Sequence, residues 1–151
     1  MPGSYRSPAA WSSFIYATSP GPLLLEVRGD PFGDGPAALG RTIAAAMTAG
    51  IPARPFALTT TQANAARPNF RVVVVLGGAP SLDERAICAG HVAVEPLKVL
   101  DGRVDLTATF CDGQSLLSSV RGWVARIDGI DDRRFRLLLN QMARELMGSP
   151  P

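Results

Sequence analysis

Histidine, lysine and cysteine are scarce in this sequence, and the kinds of site that depend on them are correspondingly restricted. There is one histidine, His91, and the two cysteines do not form the Cys-x-x-Cys pairs that are typical of zinc sites. No apolar run approaches the roughly 18 residues that a membrane-spanning helix requires. We therefore predict neither a metal site nor a transmembrane segment.

Almost all basic residues are arginine, since Lys98 is the only lysine among 15 Lys and Arg residues. The formal net charge is only +2, and the arginines are scattered, which indicates a coding bias more than a phosphate-binding surface. The cluster Arg133-Arg134-Arg136 could bind a phosphate or an acidic partner. We expect these arginines instead to pair with neighbouring aspartates 128, 131 or 132, because cations oppose the dipole at a helix N-terminus. Aromatic residues do not interleave with this cluster, so no nucleic-acid partner is predicted.

A chain of 151 residues is long enough for one domain with a single core. Residues 1–21 are rich in Pro, Ser and Gly and show no period, which predicts a flexible N-terminal arm. The domain then spans 22–148, with a tail at 149–151. The arm holds one apolar group, which we expect to dock on the domain, with binding to a partner as the alternative; its members are Trp11, Phe14, Ile15 and Tyr16.

The first half of the domain is predicted to alternate strands and helices. Leu23–Arg28 is typical of a short strand, and Pro36 suits the first position of a helix that Gly50 ends. Pro55–Thr59 is predicted to be a second strand, which Pro52 and Pro55 limit to an edge of the sheet or to a late start. Four consecutive valines within Phe70–Leu76 indicate a strand covered on both faces.

The second half is predicted to be a hairpin followed by a helix. Arg103–Phe110 alternates apolar and polar residues, which is typical of a strand, and Asp112-Gly113 is a strong turn signal. Leu116–Ile127 is predicted to be the returning strand of the hairpin. Asp131 or Asp132 is expected to cap the last helix. The order β-α-β-(α)-β-(α)-β-β-α predicts an α/β (α+β-like) single domain, with a mixed sheet of about four to five strands and two main helices packed on it.

Two loops that follow strands are the candidate ligand sites, because α/β sheets bind ligands at the carboxyl ends of their strands. The first contains Asp30 and Asp34, and the second contains Gly77, Gly78 and Ser81. Neither matches a dinucleotide or P-loop spacing, and an acidic turn is the simpler interpretation of the first. Ser81 is better explained as a helix cap, paired with a glutamate three residues later, than as a nucleophile. We predict no catalytic residue and no cofactor.

The two cysteines, Cys88 and Cys111, are predicted to lie at the end of a short helix and beside the hairpin turn. Element ends of this kind are easily bridged by a disulfide, which would close a loop of about 22 residues. Two reduced, half-buried thiols are the alternative. A disulfide would require an oxidising compartment.

The order of a βα unit, a buried strand, a hairpin and a terminal helix resembles small bacterial cell-envelope domains of the curli-assembly and penicillin-binding-protein-activator kind. That resemblance lies in the element order and carries no site residues across. It implies a non-enzymatic binding or assembly module that acts through a protein partner or self-association. A small-molecule-binding protein or enzyme with a site at loops 29–35 and 77–81 is the alternative. The N-terminus shows no signal-peptide pattern, which predicts a cytoplasmic location as written; a periplasmic or envelope location would require a missing leader.

Overall fold

One mixed sheet and four helices make up the part of the chain that the structure describes. The structure is a computed structural model and describes residues 4–30, 32–77, 83–90, 103–125 and 129–150. Its strands are β1 (Ser4–Arg6), β2 (Leu23–Arg28), β3 (Leu58–Thr59), β4 (Phe70–Leu76), β5 (Val104–Asp112) and β6 (Ser115–Val124). Its helices are α1 (Ala10–Thr18), α2 (Pro36–Ala49), α3 (Glu84–Cys88) and α4 (Arg133–Met147), with a single 3-10 turn at Gln62–Asn64.

The six strands lie in the order β1-β6-β5-β4-β2-β3. β2 is parallel to both β3 and β4, whereas β4, β5, β6 and β1 are successively antiparallel. The parallel half follows from the α2 crossover between strands, and the antiparallel half follows from the hairpin. The predicted mixed sheet is confirmed. The predicted number of strands was slightly low, because the three-residue edge strand β1 was not predicted. The predicted strand at Pro55–Thr59 is present as β3, which lies at the other edge and starts late, at Leu58.

Strand β4 is covered on both faces, as its run of valines predicted. Val72 and Val74 belong to the main core beneath helices α1, α2 and α4, which also contains Phe110. Val73 and Val75 belong to a second, smaller core under α3. The sheet therefore has a helical face and a second face that the five-residue helix α3 partly covers.

The N-terminal residues differ from the predicted flexible arm. Strand β1 pairs with β6, and α1 buries Ala10, Phe14 and Ala17, whose spacing places them on one face of a helix. The Phe14 ring contacts the rings of Trp11 and Phe56, at centroid distances of 5.4 and 4.8 Å. The expected docking of the apolar group is thus confirmed for Phe14. The nine-residue helix is too short for its apolar period to stand out among the surrounding Pro, Ser and Gly.

Helices α2 and α4 begin where the sequence predicted and pack against each other. Pro36 is the first residue of α2, and Gly50 follows its end. The backbone N–H of Arg134 donates to the Asp132 carboxylate at 2.9 Å, which makes Asp132 the N-cap of α4. A Cβ atom at Gly50 would collide with the backbone of Asn140, so glycine is required for the close approach of the two helices.

The hairpin of β5 and β6 turns at Gly113, whose φ of 58° lies in the left-handed region. Its register shifts by one residue between Phe110, opposite Ser118, and Cys111, opposite Leu116. Leu117 is therefore an extra residue that packs against the main core. With this shift, Phe110 and its partner Ser118 both face the helical side of the sheet, whereas Cys111 and its partner Leu116 both face the second core.

Candidate functional site

The two loops predicted to bind a ligand leave the sheet side by side. Gly29 follows β2 and Gly77 follows β4, and these two strands are parallel neighbours. A Cβ atom on Gly29 would lie 2.6 Å from the carbonyl oxygen of Leu76, so the chains approach closely there. The Gly77 N–H donates to the carbonyl oxygen of Asp105 at 2.7 Å, which attaches the start of the second loop to β5.

The carboxylate of Asp30 is occupied by its own loop. It accepts hydrogen bonds from the N–H groups of Gly33 and Gly35, at 3.2 and 3.1 Å. Asp34 lies exposed in the same loop. These contacts favour the structural interpretation of the loop as an acidic turn that leads into α2. Gly78 and Ser81 lie outside the described residues, so ligand binding between the two loops stays a prediction.

Helix α3 begins later than the predicted cap at Ser81. Its N-cap is Asp83, whose carboxylate accepts from the N–H of Arg85 at 3.0 Å. Glu84 is consequently the first residue of the helix instead of its third, and its side chain is directed to β6 instead of back to a cap. The capping-box spacing of Ser81 and Glu84 favoured the earlier start, but Glu84 pairs with Arg121 of β6 instead, and Asp83 caps the helix.

The Cys88 and Cys111 sulfurs are bonded, at 2.03 Å, with their Cα atoms 5.5 Å apart. Both residues are buried in the second core, so the bond attaches α3 to the sheet at β5. The guanidinium of Arg71 supports this arrangement, because it donates to the carbonyl oxygens of Cys88 at 2.7 Å and of Gly113 at 2.6 Å. It also pairs with Glu26 at 2.8 Å.

A second attachment of α3 is the ion pair of Glu84 with Arg121 on β6, at 2.5 Å. Burial of the Glu84 carboxyl raises its pKa, but the hydrogen bond and the charge of Arg121 outweigh that effect, so its pKa lies below the ordinary value. Only about a quarter of each side chain is exposed, at 25% and 26%. Water therefore screens this pair less than it screens a surface pair.

We expect Glu84→Gln to lower the free energy of unfolding at neutral pH and to change its acid dependence. A carboxylate with a lowered pKa in the folded protein stabilises the fold above its unfolded pKa, and that contribution disappears as the pH falls through the lowered value. The difference in unfolding free energy between wild type and variant should therefore narrow as the pH falls below the ordinary carboxyl range of about 4. Denaturant titrations at several pH values measure this difference. A difference that stays constant with pH would contradict the assignment.

Two aromatic side chains stand exposed on the face of the sheet that α3 covers only in part. Tyr5 on β1 and Trp123 on β6 are 45% and 52% exposed. Trp123 lies two residues after Arg121 on β6, so both side chains point to this face of the sheet. The Arg103 guanidinium lies over the Trp123 ring at 4.5 Å, and Arg85 lies 6.0 Å from the Tyr5 ring. We call the surface formed by Tyr5, Arg85, Arg103, Arg121 and Trp123 the aromatic face. Sequence analysis did not single it out, although the alternation along β6 carried the signal for Trp123.

A groove of about 530 Å³ runs between α2 and α4, on the opposite side of the sheet from the aromatic face. Among its lining residues are Arg41 of α2 and Arg133 and Arg136 of α4. We call this the arginine groove. The cluster at the start of α4 was expected to pair with aspartates, and Arg134 does pair with Asp132, at 3.1 Å. Arg133 and Arg136 instead line the groove.

The described residues contain no group of three His, Cys, Asp or Glu side chains placed to hold a metal ion. No helix among them is both long and apolar enough to cross a membrane. The candidate sites on the described part of the chain are the two loops, the aromatic face and the arginine groove.

No known protein family and no curated protein matches the chain. Its fold is similar to that of the PelC dodecamer from Paraburkholderia phytofirmans, with 13% identity, a TM-score of 0.50 and coverage of 99% of each chain. A single-substitution variant of the same dodecamer aligns over 99% of each chain with 12% identity and a TM-score of 0.49. At this identity the similarity concerns the fold alone, and the fold extends from one end of both chains to the other.

Proposed function

We propose that this chain is a non-catalytic assembly module that associates with copies of itself through the aromatic face. The observation that carries the proposal is the joint exposure of Tyr5 and Trp123, each beside an arginine, on one face of the sheet. Tryptophan, tyrosine and arginine are the residues most enriched where protein interfaces concentrate their binding energy. Exposed rings on a partly covered sheet face therefore favour a protein partner.

The edges of the sheet are poorer candidates for self-association. β1 at one edge has three residues and β3 at the other has two. β1 and β3 themselves offer few free N–H and C=O groups to a neighbouring chain, and short edge strands are one way in which proteins avoid edge-to-edge pairing. They pair with only part of β6 and of β2, so this argument concerns the outermost strands alone. An interface on the aromatic face would bury side chains rather than extend the sheet.

The solved structure of similar fold supports self-association as the mode of assembly, because it is a dodecamer. Most oligomers of one chain are closed and symmetric, and a ring forms when one surface patch binds a different patch on the next copy. The aromatic face would be one of those two patches. The number of copies in the assembly follows from the angle between neighbouring copies, and light scattering measures it.

We further propose that assembly takes place in an oxidising compartment such as the cell envelope. The buried disulfide of Cys88 and Cys111 supports this location, since cytosolic thiols are kept reduced. Trapping free thiols in protein taken directly from the native cells tests it. Two reactive thiols in that material would contradict the proposed location without bearing on self-association.

We expect the double substitution Tyr5→Ser and Trp123→Ser to shift the protein from oligomer to monomer. Loss of both rings removes the largest apolar surfaces of the aromatic face, and truncation of a central interface residue commonly costs 2 kcal/mol or more in binding, which is about thirtyfold or more in the dissociation constant. Light scattering coupled to size exclusion, across a concentration series, measures the mass of each species. The melting temperature of the variant serves as the check that it folds.

Leu137→Ser is the matched control, because Leu137 is 50% exposed but lies on α4 in the arginine groove. It should leave the oligomer intact. A wild-type protein that is monomeric at every concentration would overturn the proposal. So would dissociation caused by Leu137→Ser but not by the aromatic substitutions, since the interface would then lie on the helical side.

A further inference from the structure

The arginines of this chain divide into two groups by their contacts. Among the described residues, nearly all arginine side chains donate to an acceptor or lie over a ring, as Arg71 and Arg103 do. The side chains of Arg41, Arg133 and Arg136 make no hydrogen bond, close ion pair or ring contact in the described structure, and Arg136 acts on the Asp132 carboxylate only through its charge. These three come from two different helices, yet all three line the arginine groove.

The groove combines this charge with an apolar wall. Ala45 and Ala49 of α2 and Leu137 of α4 line it beside the arginines, and Leu137 is half exposed. Its one carboxylate is that of Asp131, so three arginines and one aspartate give the lining a net charge of +2. A volume of about 530 Å³ lies within the range of roughly 300–1,000 Å³ that is usual for small-molecule sites.

Two of these arginines lie where the dipole of helix α4 disfavours positive charge. Arg133 is the first residue of α4, and Arg136 follows within its first turn. Positive side chains there are repelled by the positive end of the helix dipole, which favours anions. The N-cap Asp132 is engaged by Arg134. A bound anion would relieve the repulsion at Arg133 and Arg136 and would give all three groove arginines a partner.

We propose that the arginine groove binds a small organic phosphate, with its phosphate held by Arg41, Arg133 and Arg136 and its apolar part against Leu137. Planar guanidinium groups donate two parallel hydrogen bonds to phosphate oxygens, and such charge-assisted bonds are the strong ones. A phosphate monoester carries close to two negative charges at neutral pH, which matches the +2 lining. The apolar wall distinguishes this ligand from inorganic phosphate, which would leave Leu137 exposed.

Titration calorimetry with phenyl phosphate, which has both a phosphate and an apolar ring, tests the site. We expect binding that weakens about tenfold or more in the double variant Arg133→Gln and Arg136→Gln, because each arginine supplies charged hydrogen bonds to the phosphate. Inorganic phosphate should bind more weakly than phenyl phosphate to the wild type. Leu137→Ser should reduce that preference for phenyl phosphate.

Arg28→Gln is the charge control, since Arg28 pairs with Glu26 on the other face of the sheet, outside both the aromatic face and the groove, and its loss also lowers the net charge. It should leave phenyl phosphate binding unchanged. A parallel experiment with vesicles that contain phosphatidic acid distinguishes a lipid headgroup from a free phosphate ester. Binding to these vesicles that depends on Arg133 and Arg136 supports the site and identifies a lipid as the source of the phosphate. Absence of binding in both arms, or an equal loss in Arg28→Gln, would overturn the proposal.

Discussion

Replacing Phe14 by alanine should lower the free energy of unfolding by about 3–5 kcal/mol, which is the usual cost of removing a buried phenylalanine. The Phe14 ring is completely buried, and it packs between Trp11 and Phe56 in the main core. Its loss leaves a cavity that α1 cannot fill, because the helix is also held by Ala10 and Ala17 beside it. For a chain of this length the expected drop in melting temperature is about 6–20 °C. Thermal and denaturant unfolding measure both quantities.

Tyr16→Ala provides the control on the same helix, because Tyr16 is 52% exposed. It loses ring contacts with Phe70 and Arg67 at the surface, and its cost should be clearly smaller than that of Phe14→Ala. If Phe14→Ala and Tyr16→Ala unfold alike, then α1 is not part of the core. That outcome would restore the interpretation of residues 1–21 as a flexible arm.

Reduction of the disulfide should lower the free energy of unfolding by about 3 kcal/mol, as expected for a bond that closes a loop of this length. The bond joins Cys88 of α3 to Cys111 of β5, which are 23 positions apart. In the reduced chain the denatured state gains conformational freedom, while the second core keeps its apolar contacts. Urea unfolding with and without reductant measures the change.

The double variant Cys88→Ser and Cys111→Ser is the control for the reductant. Its unfolding midpoint should lie below that of the oxidised wild type and should not move when reductant is added. A thiol count on denatured, unreduced protein gives the independent check. Two free thiols in wild type prepared under oxidising conditions would contradict the bond.

Elements with a long or distinctive local pattern were predicted closely. Leu23–Arg28 and Phe70–Leu76 have the predicted bounds, and α2 begins at Pro36. In each case the period, the proline or the valine run lies within the element itself, so no distant contact is needed to recognise it. The short elements β1 and α1 were missed, because their residues acquire a conformation only by packing on or pairing with distant ones. β3 was predicted, although it is shorter than Pro55–Thr59.

The candidate sites also divide into those that a local sequence pattern indicates and those that depend on distant residues. Cys88 and Cys111 could be paired from the sequence, because there are only two cysteines and both lie at element ends. The pairing of Asp30 with its own loop was also the simpler interpretation from sequence. The arginine cluster at the start of α4 was recognised in the sequence, but the contribution of Arg41 was not, since Arg41 and Arg133 are 92 positions apart and only the packing of α2 against α4 brings them together.

By itself the sequence determined the mixed character of the sheet and the two main helices, because each depends on residues close together in the chain. It also limited any disulfide to Cys88 and Cys111, but it left open whether the bond forms. Tertiary structure decided which faces remain open. The exposure of Trp123 depends on which segments pack over β6, and the meeting of Arg41 with Arg136 depends on where α2 packs against α4. Both are outcomes of long-range packing, in which many weak contacts are optimised together and no local pattern records the result.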